Sequence, residues 1–232
     1  MTLLTICTAV CSEVSLTAPS TIVGNTAPDA VRLLRYANRV GNRLMKKVQW
    51  QVLRKEQTFT GVAGAEQTAI LPSNFDRFVG ETFRNRTSGD LISGPISAVE
   101  WQGFLATSYS GPPRFIYRGG SVFITPDLAG GEALAFEYIS SKWCQSSGGT
   151  AQVAWAADTD TGIIDEELMT LDIALSYLAG EGLPLGDLLE ARNERLGLLA
   201  DQDQAKVGVL SAGDIFGGRH FDGAPVGSGT DY

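Results

Sequence analysis

Helical periodicity at both ends of this chain encloses a middle stretch patterned at period two, and that division limits the fold more than any other feature. Apolar residues returning every three or four positions make a stripe on a helix, whereas alternation makes one face of a strand. Leu3, Leu4, Ile6, Cys7, Val10, Cys11 and Val14 form such a stripe, predicting a helix over about 2–14 that stops at Ala18-Pro19-Ser20. A second helix is expected from Thr26-Ala27-Pro28-Asp29 to about Lys47, capped by Thr26, with Pro28 in the first turn and Asp29 complementing the dipole. Its expected apolar side is Val31, Leu34, Ala37, Val40, Gly41, Leu44 and Val48. Near the other end, a helix over about 163–180 turns Ile164, Leu168, Leu171, Ile173, Ala174, Tyr177 and Leu178 inward and stops at Gly180-Glu181-Gly182. A last helix, about Leu185 to Lys206, offers Leu188, Leu189, Leu196 and Leu199.

Between these ends, 51–60 and 67–71 read as strands, 75–81 as a turn or short helix, and 97–104 as a helix anchored by Trp101. The clearest local signal is 113–125, two alternating runs around Gly119-Gly120, a hairpin whose glycines supply the positive φ of a tight turn. Glu132 to Lys142 continues as a third strand, and the Ser-, Gly- and Ala-rich 144–161 is expected as an exposed loop. The resulting expectation is an α+β fold. A four-helix bundle-like helical domain is made of 1–49 and 163–206, with an inserted antiparallel β-rich region at 50–162 and an extended C-terminal tail at 207–232.

Charge is unevenly distributed along this frame. From Asp29 to Glu56 there are eight basic residues against two acidic, and from Asp158 to Asp203 twelve acidic against only Arg192 and Arg195. Arg32, Arg35, Arg39, Arg43 and Lys46 follow one another at intervals of three or four, making one basic stripe. Such a stripe is ordinarily a solvated face. A chain divided in this way can also attract its own copies, basic helix to acidic helix. The candidate ring-interface residues are therefore Arg32, Arg35, Arg39 and Arg43 on one side and Asp165, Glu166 and Asp172 on the other. The net charge of −8 argues against free-standing nucleic-acid affinity, because phosphate binding needs a large basic footprint.

The chemistry-bearing residue types form no catalytic constellation, so no enzyme activity, metal or cofactor is expected. The single histidine, His220, lies in a 26-residue stretch from 207 that holds seven glycines. No phosphate-cradling G-x-x-x-x-G-K-[ST] pattern occurs. Glu166 with Glu167 and Asp201 with Asp203 do not occupy neighbouring helical positions and read as surface carboxylates. Cys7 and Cys11, four apart on an apolar stripe with Cys144 remote, read as buried thiols rather than metal ligands, and three cysteines point to a reducing compartment. Asp158-Thr159-Asp160-Thr161-Gly162 resembles the start of a calcium loop, but Met169 stands where a bidentate carboxylate belongs. Asp160 or Thr161 is expected instead to cap the next helix. Trp50, Trp101, Trp143 and Trp155 read as packing. The N-terminal stretch lacks a basic region and a run of the ~18 apolar residues a membrane span needs, so neither signal peptide nor anchor is expected. In the glycine-rich tail, Ile215, Phe216, Phe221 and Tyr232 are large apolar groups that a solvated tail has little reason to carry, and they read as anchors for a groove elsewhere.

Taken in order, the LLTIC helix, the segment IVGNTAPDAVRLLRYANRVGNRLMKKVQW, the AILPSNFDRFVGET segment, the FIYRGGSVFI hairpin, the acidic IIDEELMTLDIALSYLAG helix and the glycine-rich tail carry a likeness over nearly the whole chain. The set resembles the head-to-tail adaptor (connector) proteins of short-tailed and related bacteriophages, the tail tubular protein A group. The resemblance implies a structural virion protein at the head-tail junction, made in the host cytoplasm. It would form a homo-oligomeric ring, usually of about twelve copies, beneath the portal, and receive a tail or nozzle protein. Genomic DNA would pass through its channel without specific binding, and no membrane would be involved. The tail would reach the portal, with Ile215, Phe216, Arg219, Phe221 and Tyr232 as the portal-interface residues. Another phage structural role, in tail completion or capsid association, would use the same kind of surfaces.

Overall fold

A computed structural model describes residues 1–204. The N-terminal helix α1, Leu3–Glu13, is capped by Thr2, whose side chain accepts from the Thr5 N–H, and it buries Leu3, Ile6, Cys7, Val10 and Cys11. The second helix, α2, spans Pro28–Lys47. Its N-cap is Ala27, not Thr26, and no side chain caps it. Ala30 and Leu33 are its first buried residues, whereas Val31 is half exposed. The apolar face thus starts one residue earlier than its spacing suggests and merges with the expected one from Ala37 onward.

A 3-10 turn at Gln51–Leu53 leads into strand β1, Arg54–Thr60. The next strands are β2, Gly64–Gln67, β3, Phe75–Phe78, and β4, Arg84–Asn85. Two expectations fail here: the strand placed at 67–71 lies earlier, because Ala69 takes a positive φ of 55° that ends it, and the expected turn at 75–81 begins with a strand. Helix α3, Ala98–Ala106, opens with a reciprocal box between Ser97 and Glu100 and buries Trp101. The hairpin forms as expected from β5, Arg114–Arg118, and β6, Ser121–Leu128, with Gly119 and Gly120 at φ 59° and 85°.

Strand β7, Ala133–Ser140, organises the β part. It does not extend the hairpin. It pairs antiparallel with β1, β3 and β4, while β6 sits between β2 and β5 in a second sheet. Both sheets contribute to one aromatic core, with Phe136 of β7 packed against Phe59, Phe75, Phe78 and Phe83. Leu134, Phe136 and Tyr138 face that core, whereas Ile139 belongs to the helical core. Burial on both faces explains why β7 reads as a nearly continuous apolar run rather than an alternation.

The segment expected as an exposed loop is built into the helical core. It holds three short strands, β8 at Cys144–Gln145, β9 at Ala151–Gln152 and β10 at Thr161–Gly162, in a third antiparallel sheet. Trp143 and Trp155 pack edge to face there, and the Trp143 ring lies directly on Gly41 of α2. Asp158 and Asp160 fix this segment with their carboxylates. Asp158 accepts from the N–H groups of Ile22 and Val23, and Asp160 from those of Ala156 and Ala157. Neither Asp160 nor Thr161 caps the following helix, α4, Glu166–Gly180; Asp165 does, accepting from the Leu168 N–H.

The last described helix, α5, Gly186–Gln204, runs against α4. The expected four-helix bundle is overturned. Among the described residues there are five α-helices and ten strands, the strands forming three antiparallel sheets. A bundle needs helices that bury one another, but here α1, α2 and α5 all pack on α4, α3 sets Trp101 against Phe123 of the β part, and none of residues 186–203 of α5 is buried. The physical reason lies in α5 itself. Arg192 and Arg195 share the side that meets α4, so Leu188, Leu196 and Leu199 only lean on the core. No helix among the described residues is long and apolar enough to cross a membrane.

Candidate functional site

Helix α4 is flanked by α2 and α5, and ion pairs fix how the three lie. Arg32 at the start of α2 pairs with Glu181 just past the end of α4, and Arg43 reaches Asp172, so α2 runs antiparallel to α4. Arg192 and Arg195 of α5 reach Asp172 and Asp165 in the same reversed order. Helices α2 and α5 therefore run in one direction on two flanks of α4.

These contacts show where the sequence-derived ring-interface residues stand. Arg32, Arg43, Asp165 and Asp172 all have partners within the chain. Glu166 pairs with the N-terminal ammonium of Met1. Asp165 is held from both sides: burial pushes its carboxyl up, but hydrogen bonds from Arg195 and the Leu168 N–H outweigh that, leaving it below the usual aspartate range. Arg35 and Arg39 differ. Both are exposed, and neither forms an ion pair among the described residues. The portal-interface residues Ile215, Phe216, Arg219, Phe221 and Tyr232 lie outside the described residues.

Helical geometry sorts the remaining charge onto two outward ridges. At 100° per residue, Arg35, Arg39 and Lys46 project from α2 on the side opposite Leu33, Ala37 and Leu44, which are buried. On α5 the two arginines turn inward to α4, which leaves Asp187, Glu190, Glu194 and Asp201 on the outward side, all exposed. No ion pair within the described residues answers either ridge. Sequence periodicity found the basic ridge. It did not find the acidic one, because the signal lay in which arginines turn inward.

Between the ridges lies an open groove of about 400 Å³. Arg43, Lys47 and Arg192 line one part of it and Leu175, Ala179, Leu185 and Leu189 the other. Asp172, at its floor, is 1 % exposed. Its Oδ1 accepts from Arg192 Nε at 2.7 Å, and its Oδ2 lies 3.3 Å from Arg43 Nη2 without the geometry of a hydrogen bond. Lys47 is held below the ordinary lysine value, first by burial and then by the charges of Arg192 and Arg43, with Asp172 opposing. Sequence reading missed Lys47 and Arg192 as groove residues, since only the fold brings positions 145 apart in number into one groove.

No group of three or more His, Cys, Asp or Glu among the described residues is arranged to hold a metal ion. The chain matches no protein-family model and shows no significant similarity to a curated protein.

Proposed function

We propose that this chain is a structural subunit of a bacteriophage virion, a head-to-tail adaptor that assembles with copies of itself into a ring between portal and tail. The observation that carries the reading is the pair of outward ridges. One is basic, on α2, one is acidic, on α5, and neither is answered within the described residues. Opposite charges presented on separate faces suit a head-to-tail contact between identical subunits, and repeated rotation about one axis closes such contacts into a ring. The ordered sequence likeness to adaptor proteins supports the same reading independently. In this role the chain binds and positions neighbours and turns nothing over. Its net charge of −8 suits a passage through which DNA slides without being held.

The test is the mass of the full-length chain in solution, measured by light scattering alone and with the portal ring of the same particle. Assembly of many copies, either free or on the portal, is the expected result. A chain that stays monomeric and leaves the portal unbound overturns the reading.

A further inference from the structure

We infer that the groove between α2, α4 and α5 binds a phosphate-class oxyanion carrying a short apolar body, a site independent of whether the chain forms rings. Arg43, Lys47 and Arg192 converge on it, and Asp172 is the single carboxylate among its lining residues. Asp172 compensates one of these charges, committed to Arg192 by the 2.7 Å bond from Nε, so two positive charges remain over the groove. Arg43 is half exposed and lies 3.3 Å from Asp172 without a hydrogen bond to it, whereas Arg192 is 11 % exposed and held by the bond from its Nε. The downward displacement of Lys47 agrees with this crowding: partial desolvation and the charges of Arg192 and Arg43 disfavour its ammonium against the opposing Asp172, and an anion beside it would offset the repulsion of the two guanidinium groups.

The other grooves lack this combination. The one between β1, β4 and β7 carries Glu56, Glu81 and Glu137 against Arg84 and Arg86. The one beside β8 carries Lys55 and Lys142 with neither an arginine fork nor a buried carboxylate to orient one. Guanidinium groups match the tetrahedral oxygens of phosphate, and a lysine adds a point charge. Leu175, Ala179, Leu185 and Leu189 continue the same groove away from the cations, so an alkyl or similar body on the anion is covered where an inorganic ion leaves apolar surface wet.

The probes are inorganic phosphate and n-butyl phosphate, titrated by calorimetry into the full-length protein at low ionic strength, with sodium chloride as the control. Saturable binding of one anion per chain is expected, with the butyl ester about tenfold tighter because part of its alkyl chain is buried. Lys47→Gln, an exposed-edge change that leaves the Asp172–Arg192 bond intact, should weaken both ligands at least several-fold while the circular dichroism spectrum stays unchanged. The pair Lys55→Gln and Lys142→Gln should bind as the wild type does. No saturable binding, equal affinity for the two phosphates, unchanged affinity in Lys47→Gln, or loss of binding in the Lys55/Lys142 pair overturns the assignment.

Discussion

Asp172 is the residue whose removal should cost this fold most for its size. Its carboxylate is buried at the meeting point of three helices, bonded to Arg192 at 2.7 Å and 3.3 Å from Arg43. Asp172→Ala leaves Arg192, only 11 % exposed, as a charge without its partner; breaking a buried pair from one side costs about 3–5 kcal/mol. Two features place the loss near the lower end. Arg43 is half exposed and turns to water at little cost, and Arg192 keeps its bond to Asn193. A destabilisation of about 3 kcal/mol follows, which at a urea slope of ~2 kcal/mol/M moves the midpoint down by about 1.5 M. The double change Asp172→Ala with Arg192→Met removes the stranded charge and should recover a large part of that loss, giving a coupling of at least ~1.5 kcal/mol. Urea unfolding followed by circular dichroism measures all three. A single-variant cost under about 1 kcal/mol, or a double variant whose losses simply add, would refute the claim that the Asp172–Arg192 pair locks α5 onto α4.

Three further outcomes follow from local geometry. Gly41→Ala places a Cβ 2.3 Å from the Trp143 ring, so it should destabilise by about 1–3 kcal/mol or more and lower the melting temperature, whereas Gly103→Ala, which meets nothing within 4 Å, should not. Burial pushes the thiols of Cys7 and Cys144 up to about 12, so neither should react with a thiol reagent at neutral pH until denaturant is added; fast labelling of the native chain would contradict this packing. Asp165 lies below its ordinary value when folded, so its contribution is present above the unfolded aspartate value of about 3.9 and fades as pH falls through the folded one. The stability advantage of wild type over Asp165→Asn should therefore be seen near neutrality and vanish in acid, as unfolding curves at several pH values would show.

Sequence periodicity located α1 and α2, which each bury one face, and the β5–β6 hairpin, which turns at a glycine pair; it also located α4 and α5, although α4 is buried on nearly every side and α5 only leans on the core. It failed where burial is two-sided or elements are very short. Strand β7 is covered on both faces, so nothing in its run reveals that its neighbours are β1 and β3 rather than β6. Strands β8, β9 and β10 are two residues each, too short to alternate, and a segment rich in Ser, Gly and Ala looked like loop although Cys144, Trp155 and Asp160 are buried in it. The bundle expectation failed because leucine spacing alone made α5 look like a core helix. Its acids and arginines decide the matter, and only the fold shows which of them turn inward. The candidate interface was legible to the same degree: the stripe on α2 was visible, but Arg43, Asp165 and Asp172 answer charges within the chain and leave Arg35, Arg39 and Lys46 to face outward.

The central claim, that identical subunits meet through the basic ridge of α2 and the acidic ridge of α5, is tested most directly by charge exchange. Sedimentation velocity of the full-length chain with its portal ring would compare Arg35→Glu with Arg39→Glu, Glu190→Lys with Glu194→Lys, and all four together. Each pair alone should lose assembly, and the fourfold variant, whose ridges are opposite again, should regain it. Assembly that survives either pair, or a fourfold variant no better than the pairs, would contradict the account.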